Sequence, residues 1–188
     1  MPIPFETELL PQAQWAEPII ELRQDQEVFP YSLAATIAYH GLDSIGGVVL
    51  GFRLLQAALQ NSSHTQPVER QSISILSAFP GAGARDAFEY LSRCVSQQRF
   101  QCDTSLSHPK AQKGFEGCFY FKITLAGEVL ELSPIEGQPP ETFFSAGRQA
   151  FKSEASDAER LLWRQEKIQL ANTLLGLPAN QCIRLLKS

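Results

Sequence analysis

The longest apolar stretch in the chain is Ile45 to Asn61, where Val48, Leu50, Phe52, Leu55 and Leu59 alternate with Gly47, Gly51, Ala57 and Ala58. Apolar residues on every side predict a helix buried all round, and its small residues predict close approach by a neighbouring segment. Upstream, Pro30 is placed to start a second helix over Tyr31 to Tyr39, with Gly41 as its C-terminal cap. The corner between the two, His40 to Ser44, is polar, and Leu42-Asp43-Ser44 supplies an N-cap for the long helix. Residues 1–29 carry no sustained period. They read as an irregular leader packed on the domain, with one helical turn near Leu10 to Trp15.

Downstream of the polar loop Asn61 to Gln66, in which His64 reads as a solvated side chain, Gln71 to Phe79 alternates isoleucine with serine, the period of a half-buried strand. Pro80-Gly81-Ala82-Gly83 breaks it. Ala84 to Gln97 then shows Ala87, Phe88, Leu91, Cys94 and Val95 at helical spacing, which places Cys94 on the apolar face of a helix. Phe119, Phe121, Ile123 and Leu125 alternate with polar residues up to Ala126-Gly127. The chain returns over Glu128 to Leu132 with Val129 and Leu130 as the inward candidates, a β-hairpin. Helices follow over Glu141 to Lys152 and Ser156 to Leu175. The second opens on a capping box, Ser156 with Glu159, and is stopped by Gly176 and Pro178. The tail from Asn180 to Lys187 docks as a last turn or strand. Residues 30–188 thus read as a single α+β domain, a small antiparallel β-sheet packed with helices.

Composition narrows the function classes. The chain has 188 residues, 44% hydrophobic and 19% charged, with net charge −4. Its basic residues are scattered, which argues against nucleic acid, whose phosphates need a clustered basic surface. Nothing approaches the apolar length of a transmembrane helix, and MPIPFETELL lacks the basic start of a signal peptide, so a cytoplasmic protein is expected. There the four cysteines are expected as thiols. None forms a CxxC pair, and His40, His64 and His108 are dispersed. Any metal site is therefore assembled from distant segments.

Two local patterns invite chemistry. Gly81-Ala82-Gly83 lies between a strand and a helix, where free amides attract anions and Arg85 can assist. The dinucleotide fingerprint is incomplete, however, because position 86 is aspartate, and a carboxylate there would itself answer the helix dipole. His40, Asp43 and Cys94 are ligand types suited to a borderline metal, yet they share no diagnostic spacing.

Tyr39-His40-Gly41 and Gly47-Val48-Val49-Leu50-Gly51-Phe52-Arg53 resemble the two ends of a segment close to F-H-G-H-x-C-P-G-x-x-x-G-x-R. Asp86-Ala87-Phe88-Glu89-Tyr90-Leu91-Ser92-Arg93-Cys94-Val95 is similar to D-A-x-Q-x-x-T-G-C-T. Lys113-Gly114-Phe115, followed by Phe119-Tyr120-Phe121, looks like the turn and Phe-x-Phe strand that go with them. All three segments resemble those of the FmdE-like proteins, named for one component of molybdenum formylmethanofuran dehydrogenase. The likeness spans roughly residues 30 to 175. It implies an FmdE-like α+β domain and a homodimer, for which the 12 phenylalanines offer an interface. It also implies a divalent metal, often zinc, at His40 and Cys94, with Asp43 placed to substitute for a missing family ligand as an oxygen donor. Leu42 stands where the family has its second histidine. Ser44 or Ile45 falls at the motif cysteine, Gly46 at the proline, and the zinc-ribbon tail is missing.

The function so implied is a metal- or small-ligand-binding accessory protein, loosely linked to molybdenum or one-carbon enzyme systems. The alternatives are a metal-dependent enzyme and a scaffold that keeps the fold for protein contacts. Ser44, Arg53 and Lys113 are the ligand-binding candidates, the last two for an anionic substrate. Arg53 also has a structural reading, as a buried charge paired with Asp86 or Glu89.

Overall fold

The computed structural model describes residues 18–186. Ile19–Gln24 (β1) and Glu27–Ser32 (β2) form an antiparallel hairpin. Its turn residues Asp25 and Gln26 both have positive φ, 53° and 72°, the primed-turn geometry that matches strand twist. The segment read from sequence as an irregular leader therefore contains a hairpin, whose Ile20 and Leu22 enter the main core. The helical turn expected near Leu10 to Trp15 lies outside the described residues.

Pro30 sits inside β2 opposite Glu21 and does not start the helix. Helix α1 runs Leu33–His40 because Ser32 supplies the cap: the Ala35 N–H donates to Ser32 Oγ at 3.1 Å. Gly41 ends α1 as expected, with φ of 90° and its N–H donating to Ile37 O at 2.7 Å.

Helix α2, Ile45–Asn61, has the bounds that the apolar pattern predicts. Ser44 is its N-cap, but makes no side-chain cap bond. Twelve of its seventeen residues are buried, because α3 (Ala82–Ser92), α5 (Asp157–Leu175) and the sheet all pack on it. Against α3 the approach is backbone to backbone. A Cβ on Gly83 would stand 2.5 Å from the Ser44 carbonyl oxygen, and one on Gly51 2.8 Å from that of Ala84.

The sheet has five strands in the order β4-β3-β5-β6-β7, with β3 Ile73–Ser77, β4 Phe100–Cys102, β5 Phe121–Leu125, β6 Glu128–Pro134 and β7 Ile183–Leu185. It is mixed rather than antiparallel throughout: β4, which the sequence pattern does not signal, pairs parallel with β3. Ile75, Ile123 and Leu130 lie in register and face the core. In β6 Leu130 and Leu132 face inward, and of the two inward candidates Val129 is exposed. The β5–β6 register puts Val129 opposite Thr124, on the face away from the helices.

Helix α3 ends earlier than its apolar period suggests. Arg93 takes a left-handed conformation and closes it, so Cys94 lies just beyond the helix. Helices α4 (Glu141–Ala150) and α5 form a helical hairpin, α5 opening on the expected capping box. A short helix α6, Ala179–Cys182, leads into β7. No helix among the described residues is long and apolar enough to cross a membrane.

Candidate functional site

The starts of α2 and α3 meet at a cavity of about 280 Å³. One side is the turn from β3 into α3, Phe79 to Gly83. It is fixed by Ser77, whose Oγ–H donates to the Phe79 carbonyl at 2.7 Å and accepts from the Phe79 N–H at 3.1 Å. A Cβ at position 81 would stand 2.1 Å from the Phe79 ring, which would have to move to admit it. The opposite side is aromatic: Phe115, Phe143, Phe151 and Trp163 line the space. Phe143 and Trp163 meet edge to face at 4.5 Å between centroids, and Phe115 lies 5.1 Å from Phe151 and 5.8 Å from Trp163. Phe115 and Phe151 stay exposed, at 41% and 62%. Large apolar rings left open around a concavity mark a binding surface more often than scattered surface hydrophobics do.

The polar groups converge at the glycine-lined end. Lys167 lies one helical turn beyond Trp163, and its Nζ is 5.5 Å from that ring's centroid. Only 13% of the Lys167 side chain is exposed, yet its ion-pair partner Asp43, at 3.1 Å, is 93% exposed. An ion pair with so solvated a carboxylate holds the ammonium weakly and yields to a better-placed anion. Neither helix start is capped by a side chain, so first-turn amides of α2 and α3 face the same corner with the positive ends of their dipoles. Glu116 lines the mouth, where its Oε1 accepts from Thr104 Oγ1 at 3.2 Å.

Beside this end lies a histidine–carboxylate contact. His40 Nδ1–H donates to Asp86 Oδ2 at 2.7 Å, with side chains 11% and 30% exposed. Asp86 stands one turn beyond Ala82 and Gly83 and bonds His40; it is not in the first turn of α3, where a carboxylate answers the dipole. The contact ties the end of α1 to α3, with Tyr39 against Tyr90 nearby. It leaves His40 Nε2 without a hydrogen-bond partner among the described residues.

The other residues singled out from sequence are dispersed. Ser44 lines the cavity and Asp43 reaches its Lys167. Arg53 does not face it: its guanidinium donates to the carbonyls of Leu174 and Leu175 at 3.1 and 3.2 Å and to Gln56 Oε1 at 2.6 Å, and pairs with neither Asp86 nor Glu89. Lys113 is exposed on the loop bridged to Cys118. Cys94 is fully buried, and burial pushes its thiol up. His64 is also more than a solvated side chain, since Nε2–H donates to the Leu125 carbonyl at 2.9 Å.

Among the described residues no three His, Cys, Asp or Glu side chains come together in a way that could hold a metal ion. His40, Asp43 and Cys94 therefore do not form a three-ligand set among the described residues. The aromatic wall and Lys167 were not singled out from the sequence. Their signal was Trp163 and Lys167 at i, i+4 on one helix, with phenylalanines at both ends of α4. No family model matches the sequence, and no curated protein matches it.

Thiol labelling checks the cysteine environments. Burial raises all four thiols, but only Cys102 is exposed. Cys102 is expected to take up iodoacetamide first, with Cys94, Cys118 and Cys182 protected until the chain unfolds, as read by mass spectrometry over time.

Proposed function

We propose that this is a small-molecule-binding protein whose ligand is a compact, ring-bearing anion. The ring lies among Phe115, Phe143, Phe151 and Trp163, and the carboxylate or equivalent group displaces Asp43 from Lys167 beside the starts of α2 and α3. The carrying observation is the mismatch at Lys167: a side chain only 13% exposed on the cavity wall, paired with a carboxylate side chain that is 93% exposed. The cavity is at the small end of the range for ligand sites, which favours a single ring. The His40–Asp86 bond joins two of the three segments that resemble FmdE-like proteins and borders the same corner. That contact supports an accessory, ligand-carrying role of the kind the resemblance implies.

The test is titration of the full chain with benzoate, and with toluene as the uncharged ring, following tryptophan fluorescence and calorimetric heat. Benzoate is expected to bind and toluene to bind more weakly. Lys167→Met should weaken benzoate about 10-fold or more, the loss of one charge-assisted hydrogen bond. Trp163→Phe should remove most of the fluorescence change. Equal affinity for the charged and uncharged rings would overturn the anion assignment. So would stoichiometric metal in chelator-free protein that disappears in His40→Ala.

A further inference from the structure

Two charged side chains of opposite sign line the aromatic cavity, Lys167 and Glu116. Lys167 pairs with Asp43, which is not itself part of the lining. Glu116 makes no ion pair among the described residues, with Lys167 or with any other cation. Its Oε1 accepts from Thr104 Oγ1–H, and its second oxygen has no hydrogen-bond partner there.

The backbone, rather than a counter-ion, sets Glu116 at the cavity mouth. Phe115 and Glu116 form the tip of a tight turn, closed by the bridge between Lys113 and Cys118 and by the Gly114 N–H donating to the Gly117 carbonyl at 3.0 Å. This turn is pressed onto the end of β3. The Cys118 N–H donates to the Ala78 carbonyl at 3.1 Å, and a Cβ on Gly117, whose φ is 63°, would run into that same oxygen. Ala78 precedes Phe79, where the glycine-bearing side of the cavity begins. One short piece of backbone thus places the Phe115 ring and the Glu116 carboxylate against the same space.

A purely anionic ligand that settles beside this carboxylate meets like-charge repulsion, which costs affinity whatever Lys167 returns. A ligand with one pole of each sign meets none. In a cavity of about 280 Å³ both poles belong on one small molecule. We infer that the ligand is a zwitterion, an α-amino acid carrying a single aromatic ring. Its carboxylate takes Lys167 from Asp43, its ammonium donates to the free oxygen of Glu116, and its ring lies among Phe115, Phe143, Phe151 and Trp163. This rests on the ring-bearing-anion reading above and adds to it a positive pole and the residue that selects it.

Calorimetric titration of the full chain with phenylalanine and with 3-phenylpropanoate tests the inference, because the second keeps the ring, the chain and the carboxylate and lacks only the ammonium. Phenylalanine is expected to bind about 5-fold more tightly, the upper end for an ion pair open to solvent. Glu116→Gln keeps an acceptor for Thr104 and removes the charge. It should abolish the preference by weakening phenylalanine and strengthening 3-phenylpropanoate, and opposite shifts for two ligands do not come from a damaged fold. Lys167→Met should weaken both. The inference is overturned if 3-phenylpropanoate binds as tightly as phenylalanine, or if the preference survives in Glu116→Gln. In either case, binding of 3-phenylpropanoate that Lys167→Met weakens leaves the anion reading standing. If neither ligand binds, both readings fall.

Discussion

Arg53→Met is expected to lower the unfolding free energy by about 3 kcal/mol, the sum of two hydrogen bonds from a charged donor less the relief of a buried charge. The carbonyls it bonds, of Leu174 and Leu175, end α5 and form the negative pole of that helix. Methionine fills the space of the stem and leaves both acceptors unmatched. Burial pulls the guanidinium pKa down from its ordinary value, so the charge is held at a cost that these contacts offset. Lysine, a single charge without the planar fork, should recover only part of the loss. Urea denaturation with an unchanged m-value is the measurement, and a loss within about 0.5 kcal/mol would refute the capping role. Benzoate affinity of the folded variant should be unaltered, which separates this role from the anion-binding one that the sequence suggested for Arg53.

Gly83→Ala is expected to cost about 3 kcal/mol, at the upper end for overpacking, because the added methyl meets only backbone. Its nearest atoms would be Ser44 O at 2.5 Å and Val48 N at 2.8 Å. Neither can rotate away, so α2 and α3 must move apart along their whole crossing. The matching control is Gly176→Ala, at the exposed end of α5, where the nearest atom is 3.3 Å away and φ is −67°. That change should stay within about 0.5 kcal/mol. In thermal denaturation the first variant should melt roughly 6–12 °C below the parent for a chain of this size. Equal melting of the two would mean that the helices do not depend on their close approach.

Elements whose apolar period is long and bounded by strong signals were legible from sequence. Helix α2 has its predicted bounds, the β5–β6 turn falls at Ala126-Gly127, and α5 opens on Ser156 and Glu159. Errors arose where a local signal had two readings. Pro30 serves as well in an edge strand as at a helix start, and Ser32 decided between them. Arg93 can adopt a left-handed cap, so Cys94 continued the period of α3 without belonging to it. β4 has three residues, too few to show a period. The corner at Ser44 and the glycine loop at 81 to 83 were each legible from sequence as separate features, and only the fold places them on one cavity. The aromatic side was not, since Phe115 and Trp163 are brought together by the packing of α4, α5 and a loop, which no spacing records.

The hairpin has a practical consequence for handling the protein. Among the described residues β2 is paired on one side only, and its Val28 and Phe29 are exposed at 41% and 45%. Such a strand can recruit another molecule's strand and start precipitation, the hazard of an open sheet edge. Pro30 removes one donor from that strand, and Glu27 sets a negative charge at its start, so a foreign strand meets an interrupted ladder. Solubility at high concentration then depends on these two residues. Replacing Pro30 with a β-branched residue, however favourable for the hairpin itself, would invite gelation during concentration.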